Sequence, residues 1–193
     1  MAIEAVLFDF SGTLFRWEDP GPGGADVPGT PLPGADLPRG GLADAEGALG
    51  GAVPAGRVFD PEQVDPACWA PYPDTDAVLS FLAAHGIPVG VVSNLAADPR
   101  QVLAAHGWDA RVEAVAVAHE IGARKPEPLI FRAALDELGV APEAALMVGD
   151  SPVTDGGATE LGCRFALVDP LPVAQRPDAL IDALRAHGLA VPR

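Results

Sequence analysis

The amino-acid sequence predicts an α/β fold built on a mostly parallel sheet. Short, largely apolar segments recur along the chain, and segments with helix signals separate them. Strands that are apolar on both faces are typical of a parallel sheet covered by helices on each side, because both faces of such a sheet are buried. In addition, polar residues directly follow three of the apolar segments, which is where α/β proteins place their ligands.

The first predicted strand is the apolar run at the start of the chain, and it ends at Asp9. From Asp74 onward predicted helices and strands alternate, and Asp74 is expected to cap a helix that runs through Ala84. Further strands are predicted over residues 87–94, 112–118, 145–150 and 164–169. Further helices are predicted over residues 98–107, 126–138 and 154–162, with a last helix around 178–187. Three helix ends are predicted at the repeated sequence Ala-His-Gly, which contains His85, His106 and His187.

Residues 16–73 do not follow this alternation. The stretch 20–41 contains 6 Pro and 7 Gly in 22 residues, and such a composition buries too little apolar surface to offset the entropy of ordering the chain. The rest of the segment is also interrupted by glycine and proline. We therefore predict a core domain formed by residues 1–15 and 74–193, with a shortened or irregular insertion over residues 16–73.

Composition excludes several classes of function. The net charge is −15, from 12 basic and 27 acidic residues, and a chain without a basic face is not expected to bind nucleic acid. No apolar stretch approaches the length of a membrane span, and the first residues do not resemble a signal peptide. The two cysteines, Cys68 and Cys163, lack metal-ligand spacing, so we expect reduced thiols in a cytoplasmic protein.

Polar residues at predicted strand ends locate a candidate site. In an open α/β sheet, ligands bind in the crevice outside the carboxyl ends of the strands. Three predicted strands end there in polar residues, namely Asp9, Ser93-Asn94 and Gly149-Asp150. Taken singly, each of these can be explained as a turn residue or a helix cap, and Lys125 as surface charge. The prediction of a site therefore depends on their joint occurrence in this order.

The residue types at these positions fit phosphoryl transfer. Asp9 is a carboxylate at a rigid strand end, able to attack phosphorus and form an aspartyl phosphate. The loop after it offers backbone N–H groups to phosphate oxygens, and Gly12 permits close approach. The Ser93 hydroxyl and the Lys125 ammonium would be fixed donors to the charge that develops on the transferred group.

Asp150 and Asp155 supply hard oxygens for a divalent cation. Mg²⁺ fits because it prefers one or two carboxylates, with water and substrate phosphate completing its ligand shell. The sequence thus predicts Mg²⁺ as the cofactor and a small phosphorylated molecule as the substrate.

The motifs that carry these residues resemble those of the haloacid dehalogenase superfamily. They are DFSGT (9–13), VVSN (91–94), EIGARKPEPLIF (120–131) and VGDSPVTDGGATELG (148–162). The resemblance implies a Rossmann-like, three-layer core in which Asp9 is the nucleophile. It assigns the metal to Asp9, Asp150 and the backbone carbonyl of Ser11, with Asp155 bound through water or supporting these ligands. It assigns the phosphate to Ser93 and Lys125, and we predict that Asn94 and Gly12 also bind it.

Ser11 departs from the pattern of the superfamily. Its phosphatases usually have a second aspartate two residues after the nucleophile, which protonates the leaving oxygen and then activates water. Serine cannot do this at neutral pH, and the loss of a general acid–base typically lowers the rate by about 10²–10⁴-fold. We therefore predict a Mg²⁺-dependent phosphatase with slow turnover, in which Ser11 stands at a catalytic position. Two alternatives stay open: a catalytically impaired phosphate-binding or scaffold protein, and a phosphotransferase to an acceptor other than water.

The insertion is a second departure from the pattern. Superfamily members with a lid between the first two motifs usually build it from a helical bundle, which closes over the site. Residues 16–73 are too rich in glycine and proline to form a good bundle. We predict a reduced, irregular cap and a relatively open site, and the same segment is the candidate surface for a protein partner.

Overall fold

The computed structural model describes residues 2–17, 66–95 and 98–193. At its centre is a five-stranded sheet formed by β1 (Ala5–Phe8), β4 (Val89–Ser93), β5 (Ala114–Val117), β6 (Ala145–Gly149) and β7 (Arg164–Leu167). The strand order is β5-β4-β1-β6-β7, and every neighbouring pair is parallel. All five strands lie within segments predicted to be strands, so the predicted parallel sheet is confirmed.

Helices cover both faces of this sheet because alternate residues of each central strand face opposite sides. Val6 and Phe8 of β1 pack into one core, and Leu7 packs into the other. The first core contains residues of α1 (Thr75–Ala84), α2 (Arg100–Ala105) and α5 (Ala179–Ala186). The second contains residues of α3 (Ala118–Ile121), α4 (Pro128–Leu138) and the 3-10 helix Asp155–Leu161. No helix in the described parts of the chain has the length and apolar character that a membrane span requires.

A small antiparallel sheet joins the two ends of the predicted insertion. It pairs β2 (Phe15–Trp17) with β3 (Trp69–Pro71). The rings of Phe15 and Trp69 both contact Phe10 in the loop after β1, with centroid separations of 4.8 and 4.9 Å. The ends of the insertion thus pack against the core. The predicted irregular cap and partner surface fall mostly on residues 18–65, which lie outside the described residues.

Asp74 makes different contacts from those predicted. It is the N-cap residue of α1, but its side chain makes no hydrogen bond to that helix. Instead, the backbone N–H groups of Leu180 and Ile181, in the first turn of α5, donate to Asp74 Oδ2 at 2.7 and 3.2 Å. The carboxylate therefore stabilises the N-terminus of a helix far along the chain, in the way that an N-cap side chain does.

Two predicted helices differ from the observed ones in extent or type. The helix predicted from residue 126 begins at Pro128, and the Lys125–Pro126 peptide bond before it is cis. The segment predicted as a helix over residues 154–162 is a 3-10 helix, and its two adjacent glycines disfavour a regular α-helix. The predicted helix ends are confirmed, because the three histidines all occupy C-cap positions: His85, His106 and His187.

Candidate active site

The candidate site lies at the carboxyl edge of the sheet, where three central strands end. Asp9 follows β1, Ser93 is the last residue of β4, and Asp150 follows β6. Because β1 lies between β4 and β6, the order of strands along the chain reverses at β1. The loops on its two sides diverge at such a point and leave a crevice for a ligand. The topology thus brings together residues from three distant parts of the sequence.

A buried ion-pair network connects Asp9 to two other motifs. Lys125 Nζ donates to Asp9 Oδ1 at 2.5 Å and to Asp155 Oδ1 at 2.6 Å, and all three residues are at most 6% exposed. Asp155 Oδ2 accepts the Ser151 N–H at 3.0 Å, and the Thr13 hydroxyl donates to Asp9 Oδ2 at 3.4 Å. Burial acts to lower the pKa of Lys125, but the charges of Asp9 and Asp155 outweigh it and the pKa is raised. The lysine is therefore charged throughout the physiological range.

Three carboxylates converge at the same place. Asp9, Asp150 and Asp155 each offer an oxygen, and these oxygens lie within 4.8 Å of one another. Burial raises the pKa of Asp9 to about 7, against the opposing effect of Lys125 and with the charges of Asp155 and Asp150 adding to it. Burial and the charge of Asp155 likewise raise the pKa of Asp150 to about 6. Among the described residues Lys125 and the more distant Arg176, whose charge acts to lower the pKa of Asp150, oppose these three negative charges without neutralising all of them. A small divalent cation with a preference for hard oxygen ligands fits this donor set.

Asn94 holds the backbone of Lys125 in place. Its Nδ2–H donates to the Lys125 carbonyl at 3.1 Å, and its Oδ1 accepts the Lys125 N–H at 2.8 Å. The 3-10 helix that begins at Asp155 packs tightly against the same loop, since a Cβ at Gly157 would lie 2.5 Å from Pro126 Cβ. Oδ1 and one Nδ2–H of Asn94 thus position Lys125, and its second Nδ2–H is left to donate to a ligand, so the predicted phosphate contact of Asn94 stays a prediction.

The loop after β1 is a tight turn that places Gly12 against Asp150. The N–H groups of Leu14 and Phe15 both donate to the Phe10 carbonyl, and the Gly12 N–H donates to the Phe15 carbonyl at 2.7 Å. Gly12 has a φ of +84°, and a Cβ built there would lie 2.2 Å from Asp150 Oδ2. Glycine is therefore required by both conformation and space. Its N–H donates within the turn, and the predicted contact of Gly12 with phosphate stays a prediction.

Replacing Gly12 by alanine is expected to destabilise the protein more than the same change at Gly86. Gly86 has a φ of +64°, and a Cβ added there would meet nothing within 4 Å, so Gly86→Ala reports the backbone strain alone, about 1–2 kcal/mol. Gly12→Ala adds a clash with Asp150, worth about a further 1–3 kcal/mol. Urea unfolding of the two variants measures the difference. Equal losses of unfolding free energy would show that Asp150 does not constrain Gly12.

The two serines of the site differ in how their hydroxyls are engaged. Ser93 Oγ accepts the Leu95 N–H at 3.2 Å, which leaves its own hydroxyl hydrogen to donate to a ligand. Ser11 Oγ is buried and has no hydrogen-bond partner among the described residues. A buried hydroxyl without a partner is unfavourable by about 1–3 kcal/mol. Ser11 is thus a position where a bound polar group would improve the energy of the site.

Two residues of the site had no role in the sequence-based prediction. Thr13 belongs to the DFSGT motif but was given no function, and its hydroxyl contacts the Asp9 carboxylate. Arg176 follows β7, and its guanidinium donates to the carbonyls of Gly12 and Thr13 and lies over the ring of Tyr72. The motif itself pointed to Thr13. No sequence signal pointed to Arg176, because 164 residues separate it from Gly12.

A family model matches the part of the chain that contains most of the candidate site residues. The model described as haloacid dehalogenase-like hydrolase matches residues 39–160. The matched range contains Ser93, Lys125, Asp150 and Asp155, and Asp9 precedes it. The match therefore covers Lys125, the ion-pair partner of Asp9 among the described residues, and the two other carboxylates of the site.

Two curated relatives are phosphatases by name. The chain is 36% identical over 125 residues to the phosphoserine phosphatase of Thermus thermophilus, which covers 62% of this chain and 50% of the relative. It is 41% identical over 92 residues to the phosphoglycolate phosphatase of Rhodospirillum rubrum, which covers 47% of this chain and 38% of the relative. The chain thus spans about half the length, or less, of these relatives.

Solved structures show the same fold. A haloacid dehalogenase superfamily hydrolase from Ehrlichia chaffeensis superimposes with a TM-score of 0.61, over 95% of this chain and 99% of that chain, at 14% sequence identity. At this identity the likeness concerns the fold alone. It confirms the predicted Rossmann-like α/β architecture.

Proposed function

The chain belongs to the haloacid dehalogenase-like hydrolase family, and we propose that it hydrolyses a small phosphate ester through an aspartyl phosphate on Asp9. The observation that carries the proposal is the network after β1, where Asp9 contacts Lys125 and lies beside Asp150 and Asp155. The relatives are named for phosphoserine and phosphoglycolate. Both molecules are small phosphomonoesters, and we infer a substrate of this chemical class.

In the proposed reaction, an oxygen of ionised Asp9 attacks phosphorus and forms a new P–O bond. The bond from phosphorus to the ester oxygen breaks, and its electron pair leaves with that oxygen. Lys125 Nζ and the Ser93 hydroxyl would donate to the phosphoryl oxygens as charge develops on them. Water then attacks the phosphorus of the aspartyl phosphate, which releases inorganic phosphate and restores the Asp9 carboxylate.

Both steps require a proton transfer that Ser11 does not provide. The leaving oxygen gains a proton in the first step, and the attacking water loses one in the second. With serine at this position, protons must be exchanged with solvent, and we expect slow turnover of esters whose leaving groups are basic. Esters with acidic leaving groups, such as aryl phosphates, depend less on the missing acid in the first step.

Mg²⁺ is the proposed cofactor of the site. Asp9, Asp150 and the Ser11 carbonyl would hold it, and Asp155 would support them through its contact with Lys125. The cation supplies positive charge for the phosphoryl oxygens when it is bound. The donor set supports this assignment, because the oxygens of Asp9, Asp150 and Asp155 lie within 4.8 Å of one another, and a bound cation would offset the burial and mutual repulsion that raise the pKa values of Asp9 and Asp150.

Intact-protein mass spectrometry tests the covalent step. The protein is incubated with Mg²⁺ and a panel of phosphate donors that includes an aryl phosphate, phosphoserine and phosphoglycolate, and is then quenched in acid. We expect the wild-type protein to gain the mass of one phosphoryl group, and Asp9→Asn to gain none. Absence of the phosphorylated species in the wild type, together with no release of phosphate and no binding of Mg²⁺, would overturn the proposal.

Stabilisation by Mg²⁺ is expected to increase with pH. Between the ordinary carboxyl pKa of about 4 and the raised pKa values of about 7 and about 6, folded Asp9 and Asp150 hold protons that the unfolded chain releases. Their ionisation therefore lowers the stability of the metal-free protein as pH rises through this range. Mg²⁺ requires the ionised forms, so its apparent affinity should rise by up to about tenfold per pH unit for each proton that it displaces.

Thermal unfolding with and without Mg²⁺ at pH 5 and pH 8 measures this effect. The increase in Tm caused by Mg²⁺ should be larger at pH 8. Asp76→Asn is a matched control, because Asp76 is an exposed carboxylate outside the site whose pKa is lowered by a hydrogen bond from Arg111. It should leave the difference unchanged. An equal Mg²⁺ effect at both pH values would contradict binding at Asp9 and Asp150.

A second candidate function is phosphoryl transfer to an acceptor other than water. The observation in its favour is Ser11, whose buried hydroxyl replaces the group that would activate water. This function predicts a phosphoenzyme that forms readily, decays slowly in water and decays faster when an alcohol acceptor is added. A protein that only binds phosphate would instead show saturable binding with no gain of mass.

A further inference from the structure

We propose that Arg176 is a positioning residue for the candidate active site, because it holds the backbone of the loop that follows Asp9. The inference rests on the proposed function, since the loop is expected to supply the Ser11 carbonyl to the cation. Arg176 lies outside the four motifs and beyond the residues matched by the family model.

The guanidinium of Arg176 binds two consecutive carbonyl groups of this loop. Nη1–H donates to the Gly12 carbonyl at 2.6 Å, and Nη2–H donates to the Thr13 carbonyl. The opposite contact is an aromatic face, with Cζ 3.2 Å from the centroid of the Tyr72 ring. The side chain is buried, at 3% exposure. Hydrogen bonds in its plane and a ring against its face together define both the position and the orientation of the guanidinium.

Arginine suits this role because of its shape. Among the described residues no carboxylate lies within ion-pair distance of Arg176, although the charges of Asp74, Asp150 and Asp169 act on it from farther away. Its hydrogen bonds go to backbone oxygens, those of Gly12, Thr13 and, at 3.5 Å, Asp169. Hydrogen bonds from a charged donor are stronger than those between neutral groups. A planar fork can contact two neighbouring carbonyls at once and stack on a ring, whereas a lysine ammonium on a flexible stem cannot do both.

Tyr72 connects the same loop to β3, at the C-terminal end of the predicted insertion. It directly follows β3, its N–H donates to the Leu14 carbonyl at 3.1 Å, and its hydroxyl donates to the Leu171 carbonyl at 2.9 Å. The loop is therefore held from two sides, by Arg176 at Gly12 and Thr13 and by Tyr72 at Leu14. Its conformation depends on a segment near the C-terminus of the chain as well as on the motif itself.

The position of this loop controls two parts of the candidate cation site. Gly12 packs directly against Asp150, and the Thr13 hydroxyl donates to Asp9 Oδ2. The Ser11 carbonyl precedes both of the carbonyls that Arg176 binds. If the guanidinium is removed, rotation of the peptide groups at Gly12 and Thr13 would move the Ser11 carbonyl away from the cation and release Asp150 from its contact.

The test compares Arg176→Lys and Arg176→Met with Arg185→Lys. Arg185 Nε–H also donates to a backbone carbonyl, that of Val191 at 2.7 Å, but outside the site. Two properties are measured: amide hydrogen exchange of Gly12, Leu14 and Phe15, and the Kd for Mg²⁺ by titration calorimetry. For Arg176→Lys we expect exchange of these amides at least about tenfold faster and a Kd about 10–100-fold higher. Arg185→Lys should change neither.

Each outcome decides between the alternatives. Unchanged exchange and an unchanged Kd in Arg176→Lys would overturn the positioning role. Wild-type behaviour of Arg176→Lys combined with a higher Kd in Arg176→Met would also overturn it, because charge alone would then be sufficient. If Arg176→Lys does not fold, Arg176→Met, which buries no charge, provides the same measurements. Failure of the wild-type protein to bind Mg²⁺ would refute the proposed cation site itself, and the exchange data would still report whether Arg176 orders the loop.

Discussion

Replacing Asp9 by asparagine is expected to abolish formation of the phosphoenzyme and to lower the rate of phosphate release by at least about 10³-fold. The amide oxygen carries no full charge and cannot form a stable bond to phosphorus and then be restored by hydrolysis. The rest of the site should stay in place, because Lys125 keeps its contact with Asp155 at 2.6 Å. The loss of activity would therefore reflect removal of the nucleophile and not disruption of the ion-pair network.

The measurement is phosphate release from an aryl phosphate in the presence of Mg²⁺, with intact-protein mass spectrometry alongside it. Asp182→Asn is the control, because Asp182 is an exposed carboxylate that binds Arg193 outside the site. The metal-free Asp9→Asn protein should be at least as stable as the wild type at pH 8, since burial raises the pKa of Asp9 to about 7 and its ionisation opposes folding above that pH. A folded Asp9→Asn variant with the wild-type rate would refute Asp9 as the nucleophile.

Replacing Ser11 by aspartate is expected to raise the turnover of alkyl phosphates by about 10²–10⁴-fold. The change supplies a carboxyl group two residues after Asp9. At a buried position in the loop that follows Asp9, this group is expected to have a raised pKa and so retain the proton that it must give to the leaving oxygen. Ser11 Oγ has no hydrogen-bond partner among the described residues, so the substitution breaks no existing contact there. The added acid should lower the stability of the metal-free protein.

Ser11→Asn is the matched control, because asparagine has the size of aspartate without its proton. The ratio of the rates for Ser11→Asp and Ser11→Asn, measured on one alkyl and one aryl phosphate, isolates the acid–base contribution. The ratio should be larger for the alkyl ester, whose leaving group needs protonation. A ratio near one for both esters would show that a missing acid does not limit turnover, and would favour transfer to another acceptor or phosphate binding alone.

Much of the fold follows from local sequence patterns. Short apolar runs between helix signals predicted the five strands of the sheet, and the Ala-His-Gly sequences predicted three helix ends. The end of β1 placed Asp9 at the carboxyl edge of the sheet, and motif spacing added Asp150 and Asp155. The structure brings the three carboxylates together, with oxygens within 4.8 Å of one another. These features could be predicted because hydrophobic periodicity is set by neighbouring residues, and because all strands of a parallel sheet end at the same edge.

Contacts between distant segments could not be predicted in this way. The motifs pointed to Asn94 as a phosphate ligand, which stays a prediction, but they did not indicate that its amide holds the backbone of Lys125. Asp74 does occupy the predicted N-cap position of α1. Its carboxylate, however, accepts hydrogen bonds from the N-terminus of α5 and not from α1. In both cases a polar side chain has several local roles open to it. Which of them it adopts depends on the groups that packing brings near.

The sequence by itself therefore determined the strands, the edge of the sheet on which they end and the chemical types of residue gathered there. Tertiary structure alone decided how those residues are held, through Arg176 on the carbonyls of Gly12 and Thr13 and Tyr72 on the loop beside them. The physical reason is the distance along the sequence between the residues that interact. The signals for single strands and helices lie in residues a few positions apart, whereas the partner of a buried side chain is set by whichever segments meet when the sheet and its helices pack.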